Sequence, residues 1–318
     1  MPRIAYFGPR GTFTEQAARS LVTQDHDAGV RLPPDLAGAE LIPFDTIPAA
    51  LAEVRAGNAH AACVPVENSV EGSVTATLDA LAVDEPLVTV AEVALPIRFT
   101  VLVRPGTRAA DVRTVATHPH AAAQVRRWLA EHLPQADVVP ASSTAGAALA
   151  VQRGEFDAAV TAPAAALHYP LEVLAEDVAD VRDAVTRFLL VRAPGWLPEP
   201  TGADRTSVVV VTAHRVGALS EVLDELASRG INLTRIESRP IRDRIGEYRF
   251  FLDFEGHVAE ARVGDALAAL YRRCTEVRFL GSYPRADRTP TVVPPHGADA
   301  AFTAAARWLE LVRSGGGA

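Results

Sequence analysis

The sequence contains no lysine, since all 31 residues of the combined lysine and arginine count are arginine. Without a lysine amine, the chain cannot form the Schiff base on which pyridoxal-phosphate enzymes depend. A Walker-type phosphate loop also requires a lysine after its glycines. The sequence therefore excludes both classes of enzyme.

Cysteine is almost as scarce. Cys63 and Cys274 lie far apart, each within an apolar segment, which predicts two reduced core thiols rather than a disulfide or a metal site. No apolar run is long and charge-free enough to span a bilayer. The segment Met1–Phe7 leads into a strand-like run and lacks the features of a secretion signal. We expect a cytoplasmic protein without a membrane partner.

Positive charge is also in deficit, because the formal net charge is -8. A nucleic-acid surface needs clustered cations, so the charge argues against a nucleic-acid partner. An anionic small substrate stays compatible with it, because a few arginines can dominate one pocket. The content of 48% hydrophobic and 22% charged residues is typical of a globular protein. A chain of 318 residues predicts two or three compact units.

Strand-like and helical segments alternate over the first two thirds of the chain, including one predicted helix over residues 121–132. This alternation predicts an α/β architecture with largely parallel sheets. A segment dense in proline and glycine follows, and beyond it the order βαββαβ predicts a ferredoxin-like unit. The boundaries expected are 1–193 for a catalytic domain, 194–203 for a linker, 204–283 for a regulatory domain and 284–318 for a tail with a helix. The glycine-rich end is expected to be disordered.

The first turn of the chain combines glycines with a helix start. Gly8 and Gly11 precede Thr12 and Glu15, which fit a capping box. A glycine-rich turn at a helix N-terminus favours an anion, because free amides and the helix dipole point toward it. The turn does not match the dinucleotide fingerprint G-x-G-x-x-G. Alone, it also fits an ordinary strand-to-helix connection.

Polar side chains recur at other predicted strand ends and helix starts. They include Glu67, Asn68, Ser69 and Ser73; His118, His120 and Gln124; Ser142, Ser143 and Thr144; and Thr186 with Arg187. The carboxyl ends of strands are where α/β proteins bind ligands. The paired histidines lack a third ligand and make a poor zinc site, whereas an arginine fork suits a carboxylate. Together these segments predict a cleft for a small polyanion that uses neither metal nor cofactor.

In this order and spacing, the segments resemble prephenate dehydratase. The resemblance rests on Gly8-Pro9 with Gly11-Thr12-Phe13, Pro65-Val66-Glu67-Asn68-Ser69 with Gly72-Ser73, His118-Pro119 with Gln124, and Thr186-Arg187-Phe188. The last third resembles the family's ACT domain, at Gly217-Ala218-Leu219 and Glu237-Ser238-Arg239-Pro240. The resemblance implies a two-lobed catalytic domain like a type II periplasmic binding protein, followed by a ferredoxin-like ACT regulatory domain.

The resemblance also implies an activity and its residues. Prephenate would lose its ring hydroxyl and a carboxylate to give phenylpyruvate, with L-phenylalanine as effector and ACT domains pairing in a homodimer or homotetramer. Implied catalytic residues are Thr186, Glu67, Asn68, Ser69 and Gln124; implied substrate-binding residues are Gly11, Thr12, Phe13, Ser73, His118, Thr144, Arg187 and Phe188. Implied phenylalanine-binding residues are Gly217, Ala218, Leu219, Asn232, Leu233, Glu237, Ser238, Arg239 and Pro240.

Our hypothesis for the chemistry is that Thr186 donates a hydrogen bond to the departing hydroxyl. A water or Glu67 is the ultimate acid, because a threonine hydroxyl is too weak an acid to give up its proton at neutral pH. Arg187 and helix N-termini would hold the side-chain carboxylate. Two positions depart from the family pattern, which commonly has glutamine at His120 and asparagine at Asp183.

Four alternatives compete with this interpretation. An arogenate dehydratase and a non-catalytic ligand sensor would share the fold. A solute-binding protein would share the two lobes, but it should carry a secretion signal and needs no C-terminal domain. A dehydrogenase with a similar regulatory domain needs the dinucleotide fingerprint that the first turn lacks.

Overall fold

The computed structural model describes residues 1–22, 33–241 and 247–316. The chain folds into two compact units. The first comprises Met1–Ala80 and Val93–Arg192, and the second comprises Leu81–Glu92 and Ala193–Ala318. The last two positions of the glycine-rich end, Gly317 and Ala318, lie outside the described residues.

The strands of the first unit are β1 (Arg3–Phe7), β2 (Glu40–Phe44), β3 (Ala61–Asn68), β4 (Gly72–Ser73), the end of β5 (Val88–Pro96), β6 (Thr100–Val103), β7 (Thr114–Thr117), β8 (Asp137–Pro140), β9 (Ala158–Thr161), β10 (Glu172–Ala175) and β11 (Val185–Arg192). Its helices are α1 (Phe13–Val22), α2 (Ile47–Arg55), α3 (Thr75–Leu81, of which Leu81 belongs to the second unit), α4 (Pro119–Gln124), α5 (Arg126–His132) and α6 (Thr144–Gln152). Short 3-10 turns cover Pro34–Leu36, Ala109–Asp111 and Pro163–Leu167.

The first lobe of this unit is built on a sheet of order β2-β1-β3-β11-β5, with β4 paired to β3. β1 is parallel to β2 and β3, whereas β11 is antiparallel to β3. Residues 61–66 of β3 are all buried, because a central strand covered on both faces must be apolar throughout. Its polar residues therefore begin where the strand leaves the core.

The second lobe has a sheet of order β10-β6-β9-β7-β8. β7 is parallel to β8 and β9, but β6 is antiparallel to both β9 and β10. Alternate residues supply its two cores, since Val101 and Val103 pack on one face and Leu102 packs on the other. The prediction of largely parallel sheets holds only for β2-β1-β3 and for β8-β7-β9, because β11 is antiparallel to β3, and β6 is antiparallel to β9 and β10.

The single helix predicted over residues 121–132 is two helices, α4 and α5, interrupted at Val125. Asp180 accounts for the break. Its backbone N–H donates to the Gln124 carbonyl at 2.7 Å. Its carboxylate accepts from the N–H groups of Arg127 and Trp128, at 2.9 and 3.2 Å. These bonds satisfy amides that a helix start leaves free, so a residue distant in sequence restarts the helix.

The second unit contains β12 (Asp204–Val211), α7 (Ala218–Ala227), β13 (Leu233–Pro240), β14 (Tyr248–Glu255), α8 (Ala261–Arg273), β15 (Glu276–Pro284) and α9 (Asp299–Arg313). Its sheet has the order β13-β14-β12-β15 with antiparallel pairs throughout. The predicted βαββαβ unit is confirmed. Apolar residues of β12 and β14 pack against α7 and α8 in one core.

Residues 81–92 belong to the second unit by their contacts, although the sequence prediction assigned them to the catalytic domain. Glu92, 3% exposed, connects this segment to other residues of the second unit. Its two carboxylate oxygens accept from Arg205 Nη1 at 2.7 and 2.5 Å, and one also accepts from the Ala286 N–H at 2.9 Å. A buried carboxylate is stable only with such partners.

Across the described ranges, no helix is both long enough and apolar enough to cross a membrane.

Candidate active site

The pairing of β3 with β11 brings four of the predicted catalytic and binding residues together. In this antiparallel register Thr186 lies opposite Asn68, and Arg187 lies opposite Glu67. These residues come from segments more than 100 positions apart, and all four follow or begin a buried apolar run. The strand ends therefore present a hydroxyl, an amide, a guanidinium and a carboxylate at one edge of the first-lobe sheet.

Hydrogen bonds fix the orientation of the Asn68 amide. Its Oδ1 accepts from the N–H groups of Val70 and Glu71, at 2.8 and 2.9 Å. Its Nδ2 must then face Thr186, where it donates to Oγ1 over 2.7 Å. A threonine hydroxyl has one proton and two acceptor lone pairs. Because Asn68 occupies an acceptor position, the Thr186 proton points elsewhere.

Arg187 and Glu67 form an ion pair beside this hydrogen bond, with 3.5 Å between Nη1 and Oε2. Arg187 is largely buried, whereas Glu67 is partly exposed. The register of β11 on β3 shifts between Arg187 and Phe188. Phe188, which the family resemblance made a substrate-binding residue, is only 2% exposed and packs in the core.

Of the two predicted serines, Ser69 bonds to the backbone of Val185. Ser69 Oγ accepts from the Val185 N–H at 3.0 Å, and the Ser69 N–H donates to the Val185 carbonyl at 2.9 Å. Both bonds hold the start of β11, so Ser69 supports Thr186 through the backbone. Ser73 lies on β4, opposite Glu67 on β3.

The first turn combines two glycines in unusual backbone conformations with a capping arrangement at the start of α1. Gly8 and Gly11 have φ values of 102° and 85°, a region that side chains rarely adopt. The Glu15 N–H donates to Thr12 Oγ1 at 3.3 Å, as predicted for a capping box. The Glu15 carboxylate, however, accepts from the N–H of Gly11 at 2.5 Å, one residue earlier than in the usual box.

Glu15 is almost fully buried. Burial alone would raise its pKa, but hydrogen bonds from the Gly11 amide and from Arg19 outweigh that effect and hold the pKa below its ordinary value. The carboxylate is therefore ionised at neutral pH and carries negative charge at the base of the turn.

In the second lobe, Gln124 is 6% exposed, and its Oε1 has no hydrogen-bond partner among the described residues.

His118 caps α4, with Nδ1 accepting from the His120 N–H at 3.3 Å. Burial, and secondarily His120, lowers the pKa of His118, so it is neutral at pH 7. Thr144 begins α6, but Ser143 is the cap, with Oγ accepting from the Gly146 N–H at 2.9 Å.

The two departures from the family pattern have different surroundings. His120 Nδ1 lies 2.7 Å from Glu71 Oε2. Asp183 is exposed, two residues before β11 begins.

Sequence reasoning missed a second glutamate–histidine pair. His168 Nε2 lies 2.9 Å from both carboxylate oxygens of Glu15. Glu15 carried the capping signal, but no pattern marked His168, which is 153 positions away. Among the described residues, no cluster of three or more histidine, cysteine, aspartate or glutamate side chains could hold a metal.

In the second unit, Gly217 has φ 81° and precedes α7. A hollow opens beside it, lined by Thr212, Ala213, His214, Arg215, Ala218, Leu219, Glu247, Tyr248 and Phe250. The other predicted phenylalanine-binding residues do not line this hollow. Asn232 precedes the edge strand β13, and Leu233, Glu237, Ser238, Arg239 and Pro240 lie along it.

Comparisons with known proteins bear on both units. The family model described as prephenate dehydratase matches residues 4–195, and the model described as ACT domain matches residues 206–270. A prephenate dehydratase of Amycolatopsis methanolica is 61% identical over 316 residues, which cover 99% of each chain.

Two solved structures are also similar. A prephenate dehydratase from Arthrobacter aurescens, in complex with L-Phe, is 49% identical with a TM-score of 0.89, covering 98% of this chain and 99% of that chain. GqqA, described as a novel type of quorum quenching acylase, is 32% identical with a TM-score of 0.75, covering 88% of this chain and 97% of that chain. On the family match and the 61% identity, this chain belongs to the prephenate dehydratase family and carries an ACT domain.

Proposed function

We propose that the site at the β3–β11 edge converts prephenate to phenylpyruvate, carbon dioxide and water, and that Thr186 assists the departing hydroxyl. The observation that carries this proposal is the Asn68–Thr186 hydrogen bond, whose direction follows from the two amides on Asn68 Oδ1. A hydroxyl that accepts from Asn68 keeps its own proton for the substrate. Thr186 is only 7% exposed, so this donor acts out of bulk water.

The reaction needs one proton and no redox partner. The bond between the ring and its carboxylate breaks, its electron pair moves into the ring, and the bond to the hydroxyl breaks as the ring becomes aromatic. The hydroxyl takes a proton and leaves as water, and the carboxylate leaves as carbon dioxide. Thr186 lowers the barrier by donating to the oxygen as negative charge develops there. The proton comes from a water, because the Glu67 carboxylate is already in an ion pair with Arg187.

Recognition of the anionic substrate is assigned to Arg187 and the first turn. A guanidinium can bind a carboxylate through two parallel hydrogen bonds. Helix α1 begins at Phe13, and the first amides of a helix attract anions. The amide of Gly11 is already bound by Glu15, so Gly11 contributes its backbone shape rather than its N–H. Gln124 Oε1, buried in the second lobe, would accept from a substrate hydroxyl.

Regulation is proposed for the second unit. The ACT family match and the L-Phe complex of the Arthrobacter relative support phenylalanine as effector. Gly217 lets the backbone turn into α7 beside the hollow, and the helix N-terminus suits an amino-acid carboxylate. We propose that ACT domains pair in a homodimer or homotetramer. Titration with phenylalanine should raise the thermal midpoint and change turnover; no change in activity, assembly or midpoint would contradict this.

Domain boundaries and location complete the proposal. The family matches at 4–195 and 206–270 support a catalytic domain over 1–193, a linker over 194–203 and a regulatory domain over 204–283. Free thiols at Cys63 and Cys274 support a reducing, cytoplasmic location.

The experiment is a neutral-pH assay of phenylpyruvate formation, because prephenate decomposes spontaneously in acid. Thr186→Val removes the hydroxyl but keeps the shape, and Thr186→Ser keeps the hydroxyl as the matched control. Arogenate, which carries an amine in place of the keto group, is tested in parallel to decide substrate preference. A wild-type chain that leaves prephenate unchanged would refute the proposal.

A further inference from the structure

The first turn contacts the second lobe of the first unit at several points. Tyr169 Oη donates to the Arg10 carbonyl at 3.2 Å. A Cβ on Gly11 would lie 2.8 Å from the Cα of Ala165. The backbones of these two residues are therefore so close that any side chain at position 11 would clash. The ring of Phe13 meets that of Phe99 edge-to-face, with 5.4 Å between centroids.

At the centre of these contacts, Glu15 binds His168. Nε2 of His168 lies 2.9 Å from each oxygen of the carboxylate. An ionised carboxylate can only accept, so Nε2 carries the proton and donates. His168 follows the 3-10 turn after β9, whereas Glu15 belongs to α1 on the first-lobe sheet. Both side chains are mostly buried, at 16% and 2% exposure, which limits competition from water.

The same carboxylate also holds the turn itself. One Glu15 oxygen accepts from the Gly11 N–H at 2.5 Å, so a single group ties the turn's backbone to a residue of the second lobe. Arg19 binds that carboxylate too, from Nη2 at 2.7 Å and from Nε at 3.0 Å. Arg19 lies on α1, four residues from Glu15, so its contact stays within the first lobe.

We propose that Glu15 and His168 are a positioning pair that fixes the Gly8–Thr12 turn against the second lobe and so presents the start of α1 to a substrate carboxylate. The role rests on the proposed function, in which this turn binds prephenate. If the turn already has its binding geometry before the substrate arrives, binding does not have to supply the free energy needed to order it. The pair touches neither reacting bond, so its loss should weaken binding and leave the chemical step nearly unchanged.

The test compares His168→Leu, which removes the donor, with His168→Gln, which keeps an N–H donor. The KM for prephenate should rise about tenfold in His168→Leu, because charge-assisted hydrogen bonds are among the stronger ones, while kcat stays near the wild-type value. His168→Gln should recover most of the loss. Arg19→Gln is the matched control, because it removes a partner of the same carboxylate within one lobe while Gly11 and His168 keep theirs, and its KM should rise less than that of His168→Leu.

Each result decides the matter. An unchanged KM in His168→Leu, or an equal rise in Arg19→Gln, would overturn the positioning role. If His168→Leu does not fold, as judged by circular dichroism, His168→Ala replaces it and is compared with His168→Gln in the same way. A wild-type chain that forms no phenylpyruvate would refute the proposed function and the positioning role together. An active wild type whose KM for prephenate is unchanged by substitution of His168 would refute the positioning role only.

Discussion

Asn68→Asp tests the direction of the hydrogen bond at the centre of the site. The substitution preserves shape, and one carboxylate oxygen can still accept from the amides of Val70 and Glu71. The other oxygen replaces a donor with an acceptor, 2.7 Å from Thr186 Oγ1. The Thr186 hydroxyl must then donate to that oxygen, and its proton is no longer available to the departing group.

The size of the effect follows from what the hydroxyl supplies. Positioned proton donors contribute roughly a hundredfold or more to turnover, so kcat should fall about a hundredfold, equivalent to about 2.7 kcal/mol in the barrier. Stability should change little, because the backbone amides keep their acceptor. The assay is initial-rate phenylpyruvate formation at neutral pH, with unfolding midpoints measured alongside.

A double-mutant cycle sharpens the result. If both changes act on one proton, Asn68→Asp combined with Thr186→Val should be no slower than the slower single variant, within about twofold. Full turnover in Asn68→Asp would refute the inferred direction of the bond. Effects that multiply in the double variant would refute the single shared donor.

Three further predictions concern charge. Arg187→Leu should chiefly raise the KM for prephenate, because it removes the proposed carboxylate ligand, and an unchanged KM would count against that assignment. Glu92→Ala should destabilise the second unit by about 3–5 kcal/mol in denaturant unfolding, because it leaves Arg205 buried without its carboxylate, whereas replacing both by methionine should recover most of the loss. The folded-state pKa of Glu15 is depressed from 4.5, so its stabilisation is present above that pH and is lost as the pH falls through the folded pKa. Below pH 4.5, the free energy of unfolding of Glu15→Gln should therefore depend less on pH than that of the wild type. The same pH dependence in both proteins would contradict this.

The sequence predicted which residues end or begin the buried strands, and so it identified Glu67, Asn68, Thr186 and Arg187 as candidates. Polar side chains after apolar runs emerge at sheet edges for simple reasons of burial. Their pairing was not predictable from spacing, because it depends on the antiparallel register of β11 against β3. Local pattern carries no information on which strand a returning chain will join.

The βαββαβ order was predictable because each element has its own hydrophobic periodicity, and a unit of this size has few ways to bury them. Contacts between residues distant in sequence were not predictable. The break at Val125 depends on Asp180, and the partner of Glu15 is His168. In both cases a polar group distant in sequence satisfies a local requirement, which no window along the chain can reveal.

The central claim is that this chain forms phenylpyruvate from prephenate with the hydroxyl of Thr186 as the donor to the leaving group. The most direct measurement is kcat at neutral pH for the wild type, Thr186→Ser and Thr186→Val. Turnover should be retained in large part by Thr186→Ser and should fall about a hundredfold or more in Thr186→Val, with the fold unchanged. Near-normal turnover by a folded Thr186→Val enzyme would contradict the claim.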